Sequence, residues 1–87
     1  MLIHGLSEFF GTTLLIGAIA MTSNTLIIFA AFAIAVLITG PISGGHLNPA
    51  VTLWALMSGK IGPSRAIHHV IAQGLAVVAV YLVKSRI

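Results

Sequence analysis

Ile42-Ser43-Gly44-Gly45-His46-Leu47-Asn48-Pro49-Ala50-Val51-Thr52 is the stretch that decides how this chain folds. Asn48-Pro49 reads as a helix start. Asn is a strong N-cap, and Pro at the first helical position gives up an N–H that would be unpaired anyway. A largely apolar run from Ala50 to Met57 follows, and Gly59 is a good C-terminal stop. About ten residues at ~1.5 Å each predict a helix of roughly 15 Å, half of a ~30 Å hydrocarbon core. Its electropositive N-terminal end is then expected near the bilayer midplane. Before it, Ser43-Gly44-Gly45-His46 is too glycine-rich for a helix and too apolar in its surroundings for a solvent loop. Non-helical backbone at that depth survives only where protein buries it or where it lines a watery cavity. Residues 42–58 are therefore expected to form a re-entrant loop and half-helix beside a pore.

The remaining sequence fits that setting. Of 87 residues, 59% are hydrophobic and 6% charged, the composition of a membrane protein rather than of a soluble core. Cysteine is absent, which removes disulfides and thiolate chemistry. The net charge of +3 is small and scattered over an apolar chain, so no nucleic-acid partner is expected. Ala18-Ile19-Ala20 mimics a signal-peptidase site after an apolar run. The first eight residues, however, carry no Lys or Arg and do carry Glu8, so the segment is expected to stay as a span.

Three spans are predicted, at about 3–22, 25–40 and 63–83. In the first, His4, Ser7, Glu8, Gly11, Thr12, Ala18 and Thr22 fall within one arc of about 140° when each residue turns by about 100°. Phe9, Phe10 and Leu14 take the other side, toward lipid. Ser23 or Asn24 is expected to cap the second span, and Gly40-Pro41 to stop it. The third begins at Pro63 and gathers Arg65, Ala66, His69, Ala72, Gln73, Ala76 and Val80 on one face. Small residues four apart let helices approach closely in lipid, and Gln73 can hydrogen-bond across. His68 and His69 diverge by about 100° and make no metal pair, so these two and His4 are expected at interfacial packing positions. Phe29, Phe32 and Trp54 read as lipid-facing or core residues, and Tyr81 as interfacial. No cofactor, metal or enzymatic constellation emerges. The fold class is all-α membrane protein, with residues 1–87 as a single unit and no internal repeat.

Around residues 42–52 the chain resembles the aquaporin and glycerol-facilitator family, the major intrinsic proteins. Ser43-Gly44-Gly45-His46-Leu47-Asn48-Pro49-Ala50-Val51-Thr52 is similar to the first of that family's two Asn-Pro-Ala boxes. Glu8-Phe9-Phe10-Gly11-Thr12 is similar to its first-helix pattern, and Ala72-Gln73 to its third. The resemblance covers the whole sequence but only half of a family member. It implies a passive channel for water and small neutral solutes such as glycerol. Asn48 would offer side-chain N–H groups to a passing oxygen, and the half-helix dipole would oppose cations and proton relay. The carbonyls of Gly44, Gly45 and His46 would form a ladder of acceptors, with His46 at a narrowing. Glu8 and Gln73 would brace the loop.

Three spans and one half-helix cannot enclose a pore, so a second chain is expected to complete it. Lys60 and Arg65 fall on the N-terminal side of the membrane and Lys84 and Arg86 on the other, giving almost no positive-inside bias. A chain that inserts both ways can pair antiparallel with itself, and the resemblance implies further assembly into four pores from eight chains. The arginine that ends the family's second box has Val51 in its place, and the upstream aromatic aligns with Ile28. A homodimer would thus present Ile28 from one chain with Val36, Gly45 and Val51 from the other, an apolar rim suited to neutral solutes. Two other readings are a small dual-topology, proton-coupled exporter using Glu8 and a non-conducting membrane subunit. All three are multi-pass proteins of a lipid bilayer, the cell or inner membrane being expected.

Overall fold

The computed structural model describes residues 2–87. Among them are four helices and no strand: α1 Leu2–Met21, α2 Thr25–Ser43, α3 Pro49–Met57 and α4 Pro63–Lys84. α1 lies between α2 and α4, and the short α3 rests on α4. Helices α1, α2 and α4 are each long and apolar enough to cross a membrane, with 20, 19 and 22 residues. The molecule measures 39 × 25 × 19 Å, its long axis close to a bilayer of about 40–45 Å including headgroups. The chain is a multi-pass membrane protein.

Local chemistry sets most of the helix ends. Asn24 caps α2, its side chain accepting the N–H groups of Leu26 at 3.0 Å and Ile27 at 3.2 Å. Asn48 caps α3 by accepting the Ala50 N–H at 2.7 Å, with Pro49 at the first helical position. At the far end of α3, the Gly59 N–H donates to the Leu56 carbonyl and the Lys60 N–H to the Ala55 carbonyl, a Schellman closure. Gly59 takes φ 76°, the left-handed conformation that this closure requires.

The end of α2 corrects the sequence reading. Gly40-Pro41 does not stop the helix, which runs on to Ser43. Pro41 falls in the last turn, where its fixed φ suits a helix and its missing N–H removes a single ladder bond. Termination comes instead at Gly44, left-handed at φ 93°, whose N–H donates to the Gly40 carbonyl at 3.0 Å. The added turn brings Ser43 to face α1.

The interior is polar and small rather than oily. Its buried apolar residues are Ala35, Leu47, Ala55, Ala66, Ala72 and Ala76, whereas the largest fully buried side chains are His69, Gln73, Glu8, Thr39, Thr52 and Ser43. Large apolar side chains such as Leu26, Phe29, Leu37, Leu75 and Val78 point outward, where lipid solvates them. Gly11 shows how tight the α1–loop contact is. A Cβ there would stand 2.5 Å from Leu47 Cδ2 and 2.8 Å from Thr39 Cγ2, whereas one on Gly17 would meet nothing within 4 Å. Gly11→Val should therefore cost about 1–3 kcal/mol through overpacking. Thermal unfolding in detergent should show a lower midpoint for Gly11→Val and little change for Gly17→Val.

Candidate functional site

The polar seam converges on Glu8, which has no exposed surface. Its Oε2 accepts the Ser43 hydroxyl at 2.7 Å and the His46 N–H at 3.1 Å. Oε1 accepts the Leu47 N–H at 2.9 Å and the Gln73 amide at 2.8 Å. Every partner is a donor, the pattern that suits an acceptor-only carboxylate. One side chain thereby ties α1 to the end of α2, to the re-entrant backbone and to α4. Ser7 extends the seam through its hydroxyl contact with Ser43 at 2.9 Å.

The loop backbone is shaped to meet that carboxylate. Gly44 and Gly45 are left-handed, with φ 93° and 64°, and so is Leu47 at 56°. For a bulky residue this conformation is strained by roughly 1–3 kcal/mol and persists only where the surroundings fix it. Here the Leu47 N–H is held by Glu8, and its side chain is buried against Gly11. With the N–H groups of His46 and Leu47 turned inward, the carbonyls of Gly44, Gly45 and His46 accept no hydrogen bond among the described residues. Asn48, Pro49 and Ala50 are exposed at the start of α3. Asn48 uses its Oδ1 to cap, and its amide N–H groups find no partner among the described residues.

A backbone turned inside out beneath a short capped helix, and gripped by a carboxylate on a neighbouring span, invites comparison with known proteins. The family model described as "Major intrinsic protein" matches residues 2–87. The chain belongs to the major intrinsic protein family. Glycerol uptake facilitator protein-like 6 of Lactiplantibacillus plantarum is 39% identical over 90 residues, covering 92% of this chain and 42% of that protein. Aquaglyceroporin AqpS of Rhizobium meliloti is 39% identical over 62 residues, covering 71% of this chain and 27% of the relative. Aquaporin-5 of Sus scrofa is 48% identical over 40 residues, 46% of this chain and 15% of its own length. This member spans less than half the length of these curated relatives. No solved structure matches.

Against the residues singled out from sequence, the structure brings some together and leaves others apart. Gly44, His46 and Val51 share a cavity of about 330 Å³ with Trp54, Lys60 and Arg65. Ile28 and Val36 are half-buried on α2 and do not line that cavity, so within one chain they stay away from Val51. His69 corrects the sequence reading. Far from an interfacial position, it is fully buried, with its Nδ1 2.9 Å from His46 Nδ1. Arg65, His69 and Gln73 are spaced by four and stack along the inner face of α4, a signal the shared face already carried. Lys60, Arg65 and Trp54 were not singled out as cavity residues. Trp54 falls three residues after Val51 on α3, which was the available clue.

Glu8, His46 and His69 each place a ligand-type atom within 4.8 Å of the others. The carboxylate has nothing spare for an ion, because each oxygen already accepts two hydrogen bonds. A cation there would displace Ser43, Gln73 or a backbone N–H. The same saturation makes a prediction. Glu8→Gln puts an amide NH₂ opposite two of the four donors, whichever way it turns, and a buried donor left unpaired costs about 1–3 kcal/mol. The variant should melt lower and elute from size exclusion as a poorly assembled species. Parent-like melting would show that the carboxylate does not hold the loop.

Proposed function

We propose that this chain forms half of a passive channel for water and small neutral solutes, completed by a second, antiparallel copy of itself. The observation that carries the reading is α3, a nine-residue helix whose Asn48-capped N-terminus is exposed beside a run of carbonyls that accept no hydrogen bond among the described residues. At ~1.5 Å per residue it reaches roughly 13 Å, less than half of a ~30 Å hydrocarbon core. Its N-terminal dipole and the Asn48 amide both offer positive charge to a solute oxygen, while the carbonyls of Gly44, Gly45 and His46 offer acceptors to its hydrogens. Such a site takes neutral hydrogen-bonding molecules and opposes cations. The relatives named as a glycerol uptake facilitator and an aquaglyceroporin support small polyols beside water.

The second half is argued from incompleteness. Three crossings and one half-helix do not surround a lumen. Thr12 Oγ1 and Gln73 Oε1 are buried without a partner among the described residues, and both residues border the cavity that Leu47, Asn48 and Pro49 line. An antiparallel copy would bring a second Asn48 and a second half-helix N-terminus to the midplane. Ile28 of one chain would then meet Val36, Gly45 and Val51 of the other at each mouth. Glu8 and Gln73 act in this reading as braces. Burial of Glu8 among four donors weighs against an exporter that needs the carboxylate to face substrate.

Proteoliposomes holding only this chain should swell in water and glycerol gradients while planar bilayers stay electrically silent. Asn48→Asp separates capping from solute binding, because Asp caps as well as Asn but replaces donors with charge. This variant should stay folded and either lose flux at least several-fold or leak cations. A steady cation current through the parent would exclude the mechanism.

Topology gives an independent check. Two Lys added at the N-terminus should bias insertion to one orientation. Flux per chain should fall, and mixing with an oppositely biased variant should restore it. Full flux from a single fixed orientation would rule out the antiparallel pair.

A further inference from the structure

We infer that His69 is a positioning residue that fixes the tautomer of His46, so that His46 presents an Nε2–H donor to the cavity shared by Gly44, Val51, Trp54, Lys60 and Arg65. The inference rests on the half-channel reading only for its consequence in transport. The proton assignment stands on geometry alone.

The chain of donors runs in one direction. Arg65 Nε–H donates to His69 Nε2 at 3.4 Å, and a guanidinium can only donate. His69 Nε2 is thus an acceptor, and the single proton of the neutral ring sits on Nδ1. An imidazolium at His69 would instead set two N–H donors against each other. His69 Nδ1 lies 2.9 Å from His46 Nδ1, with the rings edge-on at 70° and their centroids 4.6 Å apart. Of two nitrogens at that distance one must donate and the other accept. His69 donates, so His46 Nδ1 accepts and His46 keeps its proton on Nε2.

Thr52 does not decide the matter. Its Oγ1 lies 2.9 Å from His46 Nδ1 and accepts from Gln73 at 3.0 Å, but a hydroxyl can give or take a proton. Without His69, His46 could turn its Nδ1–H toward Thr52 and leave a bare Nε2 lone pair in the cavity. With His69 in place that option is closed.

The consequence falls on the cavity. His46 Nε2 lies 3.1 Å from where a Cβ on Gly44 would stand, and it has no partner among the described residues. His46 is itself 9% exposed, so most of the residue is packed, and the Gly44 side on which its Nε2 lies borders the cavity. Lys60 and Arg65 line the same space, and no acid does. The titratable side chains at the mouth are therefore all donors, and acceptance is left to backbone carbonyls such as that of Gly44. The mouth suits a neutral solute with an acceptor oxygen, such as water, a polyol or an amide carbonyl. An ammonium-type solute, itself only a donor, meets two like charges there and has only backbone carbonyls to bind. The other tautomer of His46 would place an acceptor there and weaken that discrimination.

Nitrogen NMR of isotope-labelled imidazoles in reconstituted protein reads the tautomers directly. We expect His46 as the Nε2–H form and His69 as the Nδ1–H form. In His69→Asn the amide N–H stands close to the position of Nδ1–H, so His46 should keep its tautomer. In His69→Phe the donor is gone, and His46 should shift to Nδ1–H or to a mixture. Methylammonium flux relative to water flux should rise several-fold in His69→Phe and stay at the parent value in His69→Asn. An Nδ1–H tautomer at His46 in the parent overturns the inference whatever the flux, and needs no variant to fold. An unchanged His46 tautomer in a folded His69→Phe also overturns it. If the parent shows the expected tautomers but passes no solute, the positioning role stands and the channel reading fails.

Discussion

A single buried carboxylate meets four donors drawn from three separate parts of the chain, and the remaining architecture depends on that meeting. Glu8 reaches Ser43, His46, Leu47 and Gln73, which lie 35 to 65 residues away in sequence. In a low-dielectric interior, hydrogen bonds to a charged group contribute about 1.5–3 kcal/mol each. Lipid gives the helices no hydrophobic reason to associate, so polar contacts and close packing take over that role. Alanines and Gly11 permit the approach, and Glu8 gives it a direction. Left-handed Leu47 is held by its N–H on this carboxylate and by its side chain packed against Gly11.

The interior reverses the usual ordering of a soluble core. Ser7, Thr39, Ser43, Thr52, His69 and Gln73 are buried, while leucines, isoleucines and phenylalanines cover the outside. Buried polar groups call for partners, and a hydrogen bond has a donor end and an acceptor end. The seam therefore carries a sense of direction that an apolar core lacks. Donors enter from Arg65 and Gln73, and acceptors collect at Glu8 and at the imidazole of His46. Orientation of the protons follows from the guanidinium, which cannot accept, and the carboxylate, which cannot donate.

Local chemistry was the part of this fold that sequence made legible. Asn24 and Asn48 start helices because their side chains replace missing ladder partners, and Gly59 ends one because a left-handed residue is needed there. The inner faces of α1 and α4 also follow from helical spacing, with Ser7, Glu8, Gly11 and Thr12 on one and Ala66, His69, Ala72, Gln73 and Ala76 on the other. Pro41 misled because a breaker rule for helix interiors weakens in a last turn, where one ladder bond is at stake. His69 was placed on the right face but given the wrong role, since its partner His46 comes from a loop 23 residues earlier. The cavity around His46 was not legible for a related reason. Lys60 and Arg65 reach it from beyond the Schellman closure at Gly59, where the chain turns from α3 toward α4.

Glu8 takes hold of the loop by the main-chain N–H groups of His46 and Leu47 rather than by their side chains. A grip on the main chain is indifferent to what projects from it. Val51 and Trp54, which face the cavity, and Ile28, on α2, take no part in that grip. In the proposed channel, the frame and the filter would thus be separate layers of one small protein. On that reading, side chains at the mouth could be exchanged to admit a wider or a more polar solute while the anchoring geometry stayed fixed. In the proposed half-channel, such a division would make the chain a scaffold on which permeability could be redesigned one position at a time.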